Sequence, residues 1–171
     1  GRRQTLGEEH KGTLVVTRLL SDVHYEMGNH DEALPLARRA LEAQRRTLGN
    51  EHDETQQSIN RVAAILFRMG DTEAALPLFE EDLRGSRRTM GSAHPDTLFS
   101  AHDVGKLYCE LGRHGEGLPL LRECVAGRRK VLGEGHPDTQ RAIQTLQEQE
   151  EAAAAAAAAE ARNGAAATGE E

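Results

Sequence analysis

A 171-residue chain with 3% aromatic residues and no tryptophan has to fill its core with Leu, Val, Ile and Ala. Of its formal charge of −7, a net −5 lies after Leu146, where six glutamates stand against Arg162 alone. The nearly neutral remainder, with so few aromatics to stack on bases, argues against nucleic acid or an anionic membrane as partner.

The chain opens on RRQTLG, which resembles RRTLG at Arg45 and RRTMG at Arg87. The phrase that follows, LGEEHKGT at Leu6, returns as LGNEHDET at Leu48, MGSAHPDT at Met90 and LGEGHPDT at Leu132. Gly7, Gly49, Gly91 and Gly133 are 42 residues apart each time, with no insertion between them. A fixed period of this size is the signature of a solenoid whose units pack on their neighbours. Residues 1–6 therefore read as the end of a preceding repeat, and the chain as a cut from a longer array. Three whole repeats follow at 7–48, 49–90 and 91–132, then a capping helix with an alanine-rich extension at 133–162 and a disordered tail at 163–171.

Within a repeat, the stretch from Thr55 to Met69 places Ile59, Val62, Ile65, Leu66 and Met69 at steps of three and four, which is one face of a helix. Gly70 ends it, as Gly28 and Gly112 do at the same register. A second helix from about Thr72 to Arg88 carries Ala75, Leu78, Phe79 and Leu83 on its buried stripe. Pro35, Pro77 and Pro119 fall about five residues into these second helices. An interior proline there removes a hydrogen bond at a cost of roughly 3 kcal/mol and predicts a slight kink. Basic pairs at Arg45-Arg46, Arg87-Arg88 and Arg129-Lys130 end the second helices, where the helix dipole favours cations. A basic ridge for acidic partners is the functional alternative.

The recurring His10, His52, His94 and His136 fall where each first helix starts, ahead of the prolines and acids that favour a helix N-terminus. Stacked repeats separate them by about 8–10 Å, whereas zinc needs converging nitrogens at about 2 Å. These histidines are structural punctuation, and no metal is expected. Cys109 and Cys124 read as reduced core cysteines, which favours the cytosol, with a disulfide as the alternative. HExxH, CxxC, GxSxG and the phosphate loop are all missing, and GRHGEG around Gly112 is turn chemistry. No enzyme activity and no cofactor are expected.

Ile143 and Leu146 are expected to pack on the third repeat. After Leu146 no Leu, Ile, Val, Phe or Met occurs, so the rest of this helix is a solvating cap. The eight alanines from Ala152 to Ala159 fall far short of the roughly 20 residues of a spanning helix. Their helix propensity predicts a helix through Ala159 that stops at the RNG of Arg162, with disorder from Gly164. The alanine tract reads as a low-complexity linker, with a partner-facing helix as the alternative.

The third repeat, MGSAHPDTLFSAHDVGKLYCELGRHGEGLPLLREC, and the first, with MGNHDEALPLARRALEAQRRTLG, resemble the 42-residue tetratricopeptide repeats of the kinesin light chain type. That family's phrase runs approximately LGxxHPDTLxSxNNLAxLYxxxGxxxEALPLxxRAL. The resemblance covers residues 1 to about 150. It implies an all-α, right-handed superhelix of antiparallel helix pairs, with first helices lining a concave face that takes peptides from partner proteins. Asn60 matches the asparagine that clamps peptide backbone there, while Arg18, His102 and Gln144 hold the equivalent places.

Helical spacing extends this row three residues back and four forward. The strip is Val15, Arg18, Asp22; Gln57, Asn60, Ala64; Phe99, His102, Lys106; and Arg141, Gln144, Glu148. Asn60 offers hydrogen bonds to an extended peptide, Arg18 and Lys106 offer charge to acidic side chains, and Phe99 offers an apolar anchor. A plain solvated face is the alternative. The expected function is a non-enzymatic, cytoplasmic protein-interaction scaffold that binds a peptide or helix in this groove. Two alternatives carry their own signs. A cargo adaptor of a microtubule motor needs an upstream heptad coiled coil, and a sensor array of a larger signalling protein needs a nucleotide-binding loop.

Overall fold

The computed structural model describes residues 11–167, and among them every regular element is an α-helix. In chain order these are α1 (Lys11–Glu26), α2 (His30–Leu48), α3 (Asp53–Arg68), α4 (Thr72–Thr89), α5 (Pro95–Glu110), α6 (His114–Leu132) and α7 (Pro137–Ala167). First and second helices alternate as the 42-residue period requires. The chain forms two compact units, Gly1–Gly85 and Ser86–Glu171.

In the first unit α3 packs between α2 and α4. Ile59, Val62, Ile65 and Leu66 of α3 join Ala33, Ala37 and Leu41 of α2 and Ala75 of α4 in one core. Full burial of an aliphatic side chain of this size contributes about 1.5–3 kcal/mol, so these four residues position α3. Leu78 and Phe79 are only half-buried against that core. Met69 departs from the expected stripe: it is 41% exposed and caps the end of α3, its N–H bonding back to Ile65. Gly70 follows at φ 83°, the left-handed conformation that a side chain would resist.

In the second unit, Leu98 of α5, Cys124 and Val125 of α6 and Ala142 of α7 form the core, with Ile143 and Leu146 packed against it as their spacing predicts. Both cysteines are unpaired and buried. Burial pushes both thiols up, Cys124 to about 11, because an apolar site disfavours the thiolate.

The recurring histidines have a specific task. In His52, His94 and His136 the ring Nδ1 accepts a hydrogen bond from the backbone N–H two residues on, at Glu54, Asp96 and Asp138, each at 3.2 Å. One otherwise orphaned N–H is thereby satisfied in each of α3, α5 and α7, which is the work of an N-cap. Pro95 and Pro137 then occupy the first helical position, where a missing N–H costs nothing. His10 lies outside the described residues.

The expected stop at Arg162 is overturned, since α7 continues through Asn163 and Gly164 to Ala167. One glycine costs about 1 kcal/mol in a helix, and alanines on both sides supply the propagation that offsets it. The remainder of the expected tail, residues 168–171, lies outside the described residues.

Candidate functional site

The first-helix row divides between the two units. On α1, Val15 is 38% exposed, and the Arg18 guanidinium bonds Asp22 at 3.0 Å. Asp22 is also reached by Arg61 of α3 at 2.8 Å, and Arg61 in turn lies 4.8 Å over the Tyr25 ring. This cluster ties α1 to α3 and engages the Arg18 charge that sequence spacing reserves for a ligand. On α3, Gln57 and Asn60 are exposed and Ala64 is half-buried.

In the second unit Phe99 is 59% exposed, a large aromatic ring in water. Its neighbour in the row, His102, departs from an open groove position: it is 9% exposed, and its Nδ1 lies 3.2 Å from Asp103. Lys106 and Arg141 are exposed but paired, with Glu110 at 3.4 Å and Asp138 at 3.2 Å. Gln144 donates to Glu148 at 2.9 Å. The cations of the row, Arg18, Lys106 and Arg141, are thus each engaged by a carboxylate. What the row offers is Asn60, Gln57 and Phe99.

Two cavities were not expected from the sequence. One, of about 200 Å³ in the first unit, is lined by Leu14, Val15, Gln44 and Leu48. The other, of about 250 Å³ in the second unit, is lined by Leu98, Phe99, Arg128 and Leu132. Residue by residue they stand two 42-residue periods apart, so the same architecture builds both: a first helix, the end of its second helix and the start of the next first helix. Gln44, 4% exposed with no hydrogen-bond partner for its Oε1, occupies the register of Arg128, which is 6% exposed and donates to the Asp138 carbonyl at 2.9 Å. Polarity at this position changes from amide to guanidinium while its burial persists. Arg128 lies next to the basic pair singled out from sequence, but nothing in that pattern marks it as buried.

The ends of the second helices are engaged as well. Arg45 bonds Glu81 of α4, and 42 residues on Arg87 bonds Glu123 of α6 at 2.6 Å. Arg129, at the same register again, turns to Glu134 instead, at 2.6 Å. A free basic ridge is therefore not what these positions form. Among the described residues no group of three or more His, Cys, Asp or Glu side chains is placed to hold a metal ion, and no helix is long and apolar enough to cross a membrane.

The model of the tetratricopeptide repeat matches residues 1–46, 12–81 and 54–130. The chain belongs to the tetratricopeptide repeat (TPR) family. Its TPR units are similar to the crystallised TPR-like repeats, nearly identical to one another, of a Podosopora anserina protein assigned as a kinesin light chain. That likeness has 26% identity over 98% of this chain and 82% of the other, with a TM-score of 0.78. A point variant of the same fungal repeats matches at 28% identity over 93% of this chain and 81% of the other, with a TM-score of 0.72. BtubC (BKLC) from P. vanneervenii shares the fold at 20% identity over 93% of this chain and 66% of the other, with a TM-score of 0.72. No curated protein matches the chain. The tetratricopeptide repeat is thus the family, and an all-α array of helix pairs, similar to the kinesin light chain-like repeats of the fungal protein, is the fold. Such repeats are a protein-interaction scaffold, and the family is generally non-enzymatic.

Proposed function

We propose that this TPR chain is a non-enzymatic scaffold that takes a peptide segment or helix of a partner protein on the first helices of its units. Phe99 carries the reading. An aromatic ring 59% exposed at the mouth of a cavity is the arrangement that anchors a partner side chain, since aromatics contribute large contact area at little entropic cost. In the first unit, exposed Asn60 and Gln57 offer donors and acceptors suited to an extended backbone. Because the cations of the row are already paired, recognition rests on shape and hydrogen bonding more than on attraction of acidic side chains. A cytoplasmic setting fits two unpaired, buried thiols. Likeness to a repeat protein assigned as a kinesin light chain favours, as a second reading, a motor-linked cargo adaptor.

The test begins with partners captured from host extract by residues 1–171 and identified by mass spectrometry. Their affinities are then measured against Phe99→Ala and Asn60→Ala. Each substitution is expected to weaken the authentic partner by roughly tenfold. Unchanged affinity in both variants places binding elsewhere on the chain.

A further inference from the structure

The cavity of the first unit contains a buried amide. Gln44, near the end of α2, lines this space at 4% exposure, and its Oε1 has no hydrogen-bond partner among the described residues. A buried acceptor without a donor forfeits its hydration, so it is expected to find one in the space it faces. That space, about 200 Å³, far exceeds the roughly 10–15 Å³ that one water needs. Leu14, Val15 and Leu48 give it apolar wall, suited to a short aliphatic stem.

Charge and hydrogen-bond capacity narrow the occupant. Arg18 and Glu54 place one charge of each sign at the cavity, and Arg18 is already bonded to Asp22. An ion there is attracted by one and repelled by the other, whereas a neutral head avoids the conflict. The Gln44 amide carries a carbonyl acceptor and an NH2 donor together. Its complement is a group with the same two capacities. A carboxylate lacks the donor and an ammonium lacks the acceptor. In the second unit the same register holds Arg128, whose guanidinium only donates. One architecture thus presents two different chemistries.

We propose that the first-unit cavity is a subsite for a primary carboxamide on an aliphatic stem, the side chain of a glutamine or asparagine in the partner segment. The carboxamide N–H donates to Gln44 Oε1, the Gln44 amide donates to its carbonyl, and the stem lies among Leu14, Val15 and Leu48. The source of the group rests on the scaffold reading above, while the chemistry of the cavity stands apart from it.

Butyramide and butyrate share a stem and differ in the head, and they are the probes, titrated into the 171-residue chain and followed by proton–nitrogen NMR correlation spectra. Butyramide is expected to shift the Gln44 side-chain signals, assigned by their loss in Gln44→Met, with a Kd of roughly millimolar order. Butyrate should bind at least about tenfold more weakly. Gln44→Met should remove the preference, and Gln44→Arg, which imports the residue of the second unit, should reverse it. Circular dichroism checks that both variants fold, and the titrations of the unsubstituted chain decide the question even if they do not. Equal binding of the two probes overturns the proposal, as does the lack of any saturable shift with butyramide. A water signal at the Gln44 amide that butyramide leaves in place also overturns it, for water then satisfies the acceptor. Phe99→Ala, in the other unit, should leave butyramide binding unchanged whatever it does to a captured partner, so failure of the scaffold reading is told apart from failure here. In a captured segment, replacing the glutamine or asparagine with leucine should cost roughly tenfold against the unsubstituted chain and nothing against Gln44→Met. An equal cost against both overturns the assignment of the group to a partner.

Discussion

Gly117 leaves α5 and α6 no room for a side chain. A Cβ there would lie 2.5 Å from the Cys109 Sγ and 2.5 Å from the Gly105 carbonyl oxygen. At the same register α1 and α2 carry Ser21 and Ala33, joined by a 3.0 Å bond from the serine hydroxyl to the Ala33 carbonyl, while α3 and α4 carry Ala63 and Ala75. A crossing of small residues recurs, and its third instance has closed to two glycines. Gly117→Ala is expected to cost about 1–3 kcal/mol through overpacking against backbone. Gly115→Ala, with nothing within 4 Å of its Cβ, should gain up to about 1 kcal/mol from helix propensity. Urea midpoints followed by circular dichroism would show opposite signs for one chemical change made two residues apart. Cys124 gives a second residue-scale test. Its thiol donates to the Leu98 carbonyl at 3.2 Å, and burial raises its pKa from 9.0 to about 11. Below pH 9 the thiol is protonated whether folded or unfolded, and its contribution is intact. Between pH 9 and about 11 the unfolded chain loses the proton first, so stability falls as pH rises. Cys124→Ala should flatten that slope, as measured by urea midpoints across the same pH range.

Among the elements, first helices depend on their caps. His94→Ala removes the acceptor for the Asp96 N–H and is expected to cost about 0.5–2 kcal/mol, whereas His94→Asn restores a capping oxygen and most of the stability. A loss as large in the asparagine variant would mean that the ring matters for packing instead. These helices were legible in the sequence because separate signals agreed: apolar periodicity along them, a glycine after their ends, and at their starts the recurring histidine, followed by Pro-Asp at His94 and His136. The residues at fault were those where only one signal spoke. Met69 continues the period of α3 but sits one step past its last turn, so periodicity alone placed it inside. Gly164 stops a helix only when the flanking sequence permits, and the alanines on either side of the Arg162-Asn163-Gly164 triplet carry the helix through it. The candidate site was less legible than the fold. Spacing places Arg18, His102 and Lys106 on one row, but their availability depends on Asp22, Arg61, Asp103 and Glu110, whose reach depends on rotamers. The buried Gln44 and Arg128 were hidden for another reason. They occupy polar-looking helix ends whose burial comes from the next repeat.

For the molecule as a whole, a repeat array buries its core only between neighbours, so its ends decide how much apolar surface meets water. α7 performs that task for the second unit with its first four turns. Ala142, Ile143 and Leu146 cover Leu98, Cys124 and Val125, and Glu150 then meets Arg122 of α6 at 2.7 Å. Beyond Glu151 the helix is exposed almost throughout its described side chains, as an extension of a helix nucleated elsewhere. Two truncations separate these parts. Ending the chain after Glu151 should lower the helical signal in proportion to the alanines removed, with Tm unchanged within about 2 °C. Ending it after His136 uncovers the core and should lower Tm by roughly 10 °C or more. Cys124, 0% exposed in the intact chain, would then react with a thiol reagent under conditions in which the intact chain does not. If the shorter cut costs as much as the longer one, the alanine helix supports the fold. If neither cut matters, the contacts of Ala142, Ile143 and Leu146 are not what holds the second unit together.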